Sequence, residues 1–568
     1  MVSLVQPVTN QHDSSANRTK AIAFVSVIIL TFLVFLPDLQ NGFLSTWDDG
    51  EYIVYNDRIG KFSFEMFRWA FSESYIGNWI PLTWVSLAVD RALWGLNPMG
   101  YHLTNNAIHA VNSGMFFLVS LKLLTIYDNT TSHHTTKTRF PATNNIIYSS
   151  LLAALIFGIH PLRVESVAWV AERKDVLSLF FGLPAVLLYL NYTQLLSYDG
   201  TPGSATPPLP FLTSRAYWIS LAVFCLSLLS KPMLVSLPLV LLVLDWFPLR
   251  RISKATWKDV VLDKLAYTFI SGVVLALAVY TQSATFIPNQ VANLSSRLLI
   301  ACKATMFYLL YTFYPLNLSP FYLHPGNISE MSPAYSVSLA FFVALTGCSI
   351  LVRKRYPAVT AAWLIYLVTL IPVLGLAPIG LVEMADRYTY IPCLSVSLLT
   401  ALGISALCMR YAQSRTAIVI ISGLTVLILA GSAYLTTRQI SYWHDDVSLW
   451  SRPIDLKPHF SGKVYFQRGR SYAARGDYQK ALEDLNEAHT IAQRKNVREM
   501  QYIYLERARV LRQLGDARGA IVDYTLAIES DPSPARYMYY QERGELYKSL
   551  GREDLAQEDF NAVRNGMK

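Results

Sequence analysis

Residues 21–36 read AIAFVSVIILTFLVFL, with Arg18 and Lys20 just ahead of them. No charge interrupts the run. An α-helix needs about 20 mostly apolar residues to cross the hydrocarbon core of a bilayer, and this run reaches that length by residue 39. No small-x-small cleavage pattern follows it, so the segment reads as an uncleaved anchor behind a polar cytoplasmic tail, residues 1–20. Further apolar runs stand at 103–124, 146–161, 175–193, 215–230, 232–247, 263–281, 298–316, 334–352, 358–378, 389–409 and 416–435.

Composition agrees. Of the 568 residues, 53% are hydrophobic and 15% charged, against about 25% charged in a soluble domain. The net charge of +9 is spread over short segments beside apolar runs: Arg250-Arg251, Arg353-Lys354-Arg355, and Arg410 with Arg415. That is the positive-inside bias of membrane proteins, so no nucleic-acid partner is expected. Cys225, Cys302, Cys348, Cys393 and Cys408 lie in or beside apolar runs without ligand or disulfide spacing. They read as small core residues.

Charge also tests the count of crossings. With the N-terminus inside, the basic loop 248–262 falls inside; the Arg353 and Arg410 segments should be inside too. The two ends agree only if one run between 263 and 352 does not cross. The run 298–316, flanked by Arg297 and containing Lys303, is the candidate for an interfacial or re-entrant piece. The expectation is an all-α bundle of about eleven spans over residues 21–436. A soluble domain at 437–568 follows on the non-cytoplasmic side. The long first outer loop, 40–101, holds Trp47, Trp69, Trp79, Trp84 and Trp94; tryptophan favours the headgroup level, so short interfacial helices are expected there.

The C-terminal region repeats. Gly469, Tyr472, Gly476, Ala481, Leu485 and Ala488 correspond to Ala508, Leu511, Gly515, Ala520, Tyr524 and Ala527. Gly544, Tyr547, Gly551, Ala556, Phe560 and Val563 form a third copy. Small residues where helices touch and large ones between them match the tetratricopeptide pattern of about 34 residues. The first interval is longer, with an insertion expected near 493–499. Such stacks bind peptides or proteins.

Four clusters carry possible chemistry. Asp48, Asp49 and Glu51 follow the first span, three carboxylates within four residues; like charges crowded at a membrane surface point to a site, or to a solvated capping loop. His102, Asn105, Asn106, His109, Asn112 and Ser113 form one polar stripe on an apolar helix. Such a stripe either lines a polar cavity or glues helices together. Residues 160–175, HPLRVESVAWVAERKD, offer Glu165 and Asp175 as carboxylates; Arg163, Arg173 and Lys174 are cations suited to phosphate, or to pairing with those carboxylates. Arg387, in EMADRYTYIP at 383–392, and Lys231, between two apolar runs, are further candidates for an anionic group.

Taken together, these features resemble a known family. The acidic first outer loop, the HPLRVESVAWVAERKD turn, LLSKPM at 228–233, MADRYTYIP at 384–392 and the terminal repeats are similar to bacterial relatives of the transmembrane-and-tetratricopeptide-repeat O-mannosyltransferases. These are glycosyltransferases of the GT-C fold that use polyprenyl-phosphate sugars. The resemblance implies inverting transfer of a sugar, mannose in the named family, from a lipid-linked donor to an acceptor hydroxyl on protein. It places the protein in a bacterial inner membrane with the repeats outside. It implies Asp48 and Asp49 as the catalytic pair, with Glu165 in support. Arg163, Arg173, Lys231 and Arg387 are expected around the donor phosphate, and His102, Asn106 and His109 along the pocket. The acidic pair permits a divalent cation, but the ligand set is too small to assign one, so no metal ligand is named. The three repeats are fewer than in eukaryotic relatives. The alternative reading is a non-enzymatic scaffold in which the repeats recruit partners for envelope or surface-polymer assembly. A transporter would show matching halves, and no such internal symmetry is visible.

Overall fold

The computed structural model describes residues 9–132, 142–198, 210–283, 293–325, 332–375, 382–494 and 500–566. Residues 1–8 of the polar tail and 495–499 of the expected insertion lie outside the described residues. The described chain is almost wholly helical and divides into two compact units. Its one sheet is a two-stranded antiparallel pair, β1 (Tyr322–Leu323) with β2 (Val382–Met384).

The first unit comprises residues 1–43, 51–318 and 322–441. Its helices, in chain order, are α1 (Thr9–Phe35), α2 (Phe64–Ser72), α3 (Pro81–Trp94), α4 (Pro98–Ser132), α5 (Ala142–Gly158), α6 (Val164–Ala168), α7 (Arg173–Tyr198), α8 (Arg215–Ser230), α9 (Leu237–Trp246), α10 (Trp257–Leu262), α11 (Leu265–Ser283), α12 (Leu294–Phe313), α13 (Pro333–Val352), α14 (Pro357–Leu370), α15 (Cys393–Arg410) and α16 (Arg415–Ser441).

Among the described residues, seven helices are long and apolar enough to cross a membrane, or eight if the bent pair 144–158 and 161–168 counts as one. This corrects the expected eleven. The other three runs are the shorter apolar helices at 215–230, 232–246 and 357–373, below the length a straight crossing requires. Helix α12, expected not to cross, is not among the seven. The outer helices show what surrounds them: Val419, Ile420, Leu424, Val426, Leu427 and Ile428 of α16 are all more than half exposed. A continuous aliphatic face is stable in lipid and not in water. The chain is an integral, multi-pass membrane protein.

The loop 40–101 contains the two short helices α2 and α3. Ser63 caps α2 by accepting from the Met66 N–H at 3.3 Å. Its tryptophans do not all sit at a surface, however. Trp84 is sealed and Trp69 nearly so; their rings lie 5.6 Å apart, with Tyr52 packed 4.7 Å from Trp84.

The second unit comprises residues 442–568 with two short segments drawn from elsewhere in the sequence, 44–50 and 319–321. After α17 (Asp446–Leu456) come three helix pairs: α18 (Gly462–Ala474) with α19 (Tyr478–Arg494), α20 (Met500–Gln513) with α21 (Ala517–Ser530), and α22 (Arg536–Ser549) with α23 (Glu553–Gly566). Each pair turns at a glycine with positive φ: Gly476, Gly515 and Gly551. The left-handed conformation there is strained for any residue with a Cβ. Gly544 serves close approach instead, because a Cβ would stand 2.8 Å from the Phe560 ring.

Candidate active site

The candidate site of the first unit is built by one irregular stretch. Helix α5 stops before Pro161, which has no N–H to continue it. His160 caps the next turn by accepting from the Leu162 N–H at 3.2 Å. Trp169 is extended and ends α6, and a second tight turn leads into α7. These breaks allow successive side chains to point into one place. Every residue from 157 to 179 is buried.

Six ionisable side chains meet there. Arg387 pairs with Glu165, donates its backbone N–H to Glu165 Oε2 at 2.9 Å, and holds Nε 3.4 Å from Glu172 Oε1. Lys174 Nζ lies 3.1 Å from Glu172 Oε1. Lys231 Nζ lies 2.9 Å from Glu172 Oε2 and 2.7 Å from Asp175 Oδ1. The Ser166 hydroxyl donates to Asp175 Oδ2 at 3.2 Å. Trp169 forms one wall, with the Arg387 guanidinium 5.4 Å and the Lys174 ammonium 5.7 Å from its ring. Three carboxylates balance three cations, which is how buried charge becomes tolerable. Residual exposure separates the members: Lys231 and Arg387 keep 14% and 12% of their side chains accessible, and the carboxylates 1–2%. Lys231 and Arg387 are thus the most exposed members, with Lys174 at 8%.

The other two expected cations are sealed. Arg163 donates from Nη1 to the Thr389 carbonyl and from Nη2 to its hydroxyl, each at 2.8 Å. Arg173 pairs with Asp90 and donates to Asn105 Oδ1 at 2.8 Å and to the Tyr101 carbonyl at 2.9 Å. Their guanidinium groups fasten chain segments together, and no exposed face remains for a phosphate: both are at most 1% accessible.

The polar stripe of α4 does the same for helices. Asn105 and Asn106 donate to the carbonyls of Val167 and Phe35 at 3.0 and 2.9 Å. His109 uses Nδ1 toward the Tyr390 hydroxyl and Nε2 toward the Gly158 carbonyl, both at 2.8 Å. Asn112 donates to the Val176 carbonyl at 2.8 Å. His102 Nδ1 stands 3.3 Å from Asp38 Oδ1, and Asn41 donates to that same oxygen at 2.9 Å. As placed, His102, Asn106 and His109 make packing contacts. Each is at most 1% exposed.

Asp48 and Asp49 belong to the second unit, while Glu165, Arg163, Arg173, Lys231 and Arg387 belong to the first. Asp49 is buried and accepts from the Leu44 N–H at 3.0 Å, closing the loop on itself; Asp48 is half-buried.

Glu172, a member of the cluster, and Asp386 beside it have no role assigned by the sequence pattern. Asp386 lies in the quoted 383–392 segment and accepts from the Tyr322 hydroxyl at 3.0 Å. Burial first, and the nearby Glu165 second, push its carboxyl well above the usual range. Burial likewise raises Asp90, against the pull of Arg173. Among the described residues no group of three or more His, Cys, Asp or Glu is placed to hold a metal ion.

Comparison with known proteins bears on both units. Residues 462–494 and 502–534 match the tetratricopeptide repeat family. Protein O-mannosyl-transferase F38B6.6 of Caenorhabditis elegans is 23% identical over 493 residues, 82% of this chain and 63% of its own. This chain is a distant relative of the O-mannosyl-transferases. Human protein O-mannosyl-transferase TMTC3 is 35% identical over 114 residues, 20% of this chain and 10% of its own, and mouse TMTC2 is 31% identical over 119 residues, 12% of its own. The chain therefore spans less than two thirds of the length of each of these transferases. Among solved structures, ArnT from Cupriavidus metallidurans, crystallised with undecaprenyl phosphate, overlaps 90% of this chain and 81% of its own at 14% identity and a TM-score of 0.30.

Proposed function

We propose that the chain is a GT-C membrane glycosyltransferase that moves a sugar, mannose by analogy with its relatives, from a polyprenyl-phosphate donor to a protein hydroxyl on the non-cytoplasmic face of a bacterial inner membrane. The observation that carries this reading is the cluster of Glu165, Glu172 and Asp175 with Lys174, Lys231 and Arg387. Ionisable groups gathered at this depth are costly, and structures keep them where charge has work to do.

In an inverting transfer, the acceptor hydroxyl attacks the sugar C1 while a base removes its proton, and the lipid phosphate departs with the bonding electrons. Asp48 or Asp49 takes the proton. Lys231 and Arg387, the two most accessible cations, stabilise the departing phosphate; Glu165 orients Arg387 through both its guanidinium and its backbone N–H. Arg163 and Arg173 hold the scaffold. The repeats present or select the protein acceptor.

The test is a transfer assay in membranes with labelled polyprenyl-phosphate mannose. It compares wild type with the Asp48→Asn/Asp49→Asn double variant and with Arg387→Gln. Incorporation lost in both supports the reading. Equal incorporation by wild type and the double variant removes the assigned base.

A further inference from the structure

The loop that carries Asp48 and Asp49 is held by the repeat unit. It runs 44–50, and the chain turns sharply at 45–47. That turn leaves two consecutive backbone N–H groups without helical partners, and one side chain takes both. Asp446, the first residue of α17, accepts from the Ser45 N–H through Oδ2 and from the Thr46 N–H through Oδ1, each at 3.1 Å. The Thr46 hydroxyl donates to the same Oδ1 at 2.5 Å and accepts from Trp450 Nε1 at 2.8 Å. Gln467 of α18 donates to the Thr46 carbonyl at 2.9 Å. The Trp47 ring stacks on Trp450, centroids 4.7 Å apart and planes inclined by 16°. Residues 45, 46 and 47 are thus each fixed by α17 or α18, immediately before the acidic pair.

We propose that Asp446, with Trp450 and Gln467, is the positioning clamp through which the repeat domain sets the acidic loop for transfer. The inference rests on the assignment of Asp48 or Asp49 as base. Asp446 touches no substrate; it acts by holding the backbone from which the pair projects. Carboxylate-to-N–H bonds of this kind are among the stronger hydrogen bonds in proteins. A base displaced by about 1 Å loses much of its rate. The repeat domain is then part of the catalytic apparatus and not only a tether for acceptors.

The experiment uses the full chain in detergent micelles. Hydrogen–deuterium exchange is followed on the peptide spanning 44–50, with peptides of α20–α23 as the folding control. Steady-state transfer is measured in parallel with polyprenyl-phosphate mannose as probe donor. Asp446→Ala and Asp446→Asn should speed exchange of 44–50 about tenfold and leave α20–α23 unchanged. They should lower kcat at least about tenfold with donor KM within about twofold. Asp446→Glu should recover part of both, and Trp450→Phe, which keeps the stack and loses the Nε1 donor, should give a smaller change of the same kind. Unchanged exchange of 44–50 in Asp446→Ala overturns the clamp. Faster exchange with unchanged kcat, while Asp48→Asn/Asp49→Asn abolishes transfer, overturns the positioning role alone. Full transfer by Asp48→Asn/Asp49→Asn overturns the catalytic assignment instead.

Discussion

Lys231 and Asp175 stand at the start of different helical segments, yet the Lys231 ammonium lies 2.7 Å from Asp175 Oδ1. Lys231 also reaches Glu172 at 2.9 Å, so one cation answers two carboxylates. Glu172 has Lys174 and Arg387 as further partners; Asp175 leans on Lys231 and Ser166. Replacing Lys231 by Met leaves a buried carboxylate without its main cation, which costs about 3 kcal/mol or more. The expected result is a clear fall in melting temperature in detergent. Lys231→Arg should keep the fold, and its donor KM should rise, because a flat guanidinium does not replace a compact ammonium. Thermal melting and donor titration check the two parts.

Arg387 allows a sharper comparison. Its guanidinium and its backbone N–H both engage Glu165, and Asp386 beside it is pushed toward the protonated form by burial. Glu165→Gln removes the charge that pairs with Arg387; Asp386→Asn removes a carboxylate that accepts from the neutral Tyr322 hydroxyl. Glu165→Gln should therefore destabilise by about 3 kcal/mol, and Asp386→Asn by less than about 1 kcal/mol. Equal loss in the two, read from denaturation in detergent, would contradict this ordering.

Asp445 supplies a pH test. It caps α17 by accepting from the Ser448 N–H at 2.8 Å, and Arg475 lies 2.9 Å from its other oxygen. Burial alone would raise its carboxyl, but the Ser448 bond and Arg475 outweigh burial and hold it below the ordinary value. A lowered folded pKa gives stability that is present above the unfolded pKa, near 4, and lost as pH falls through the folded value. Asp445→Asn keeps a good cap and loses the half-exposed ion pair with Arg475, worth about 0.5 kcal/mol, together with the contact to His444 Nδ1 at 3.3 Å. Exchange rates of α17 in wild type and Asp445→Asn should differ at pH 7 and converge below pH ~3. A difference that persists in acid would show that the cap itself had been damaged.

The bundle was readable because hydropathy needs no partner: Val419 to Ile428 face lipid whatever packs behind them. The α4 stripe was harder. Its period predicts a common face for Asn105, Asn106 and His109, but not what that face meets, and the partners prove to be carbonyls of Val167, Phe35 and Gly158. Arg163 and Arg173 looked like phosphate ligands because charge in an apolar context draws notice, while burial against Thr389 and Asp90 appears only in the fold. Asp446 was beyond local reading altogether, since Thr46 is 400 residues away. One further regularity is written in the sequence of the repeats. In each repeat an arginine precedes the small residue of the first helix, and an aspartate precedes the large residue of the second.

That regularity is a structural device. Arg507 grips Asp523 with Nε and Nη2, at 2.6 and 2.7 Å, across the two helices of one repeat. Arg468 and Asp484 repeat the grip at 2.7 and 2.8 Å, and Arg543 and Asp559 at 3.0 and 2.8 Å, always 16 residues apart. The forked geometry uses both carboxylate oxygens and spends no extra ordering on a second contact. The aspartates are largely buried, at 9%, 4% and 5% accessible side chain. Coupling should therefore exceed the value of a surface pair, at about 1.5–3 kcal/mol. A double-mutant cycle of Arg507→Met and Asp523→Leu, read by exchange protection of α20 and α21, measures it. Each single variant should be worse than the double, because the single leaves a charge buried without its partner and the double leaves none. Additive losses would mean that the grip contributes no more than an exposed ion pair, and that the small residues, Ala508 among them, set the helix pairing on their own.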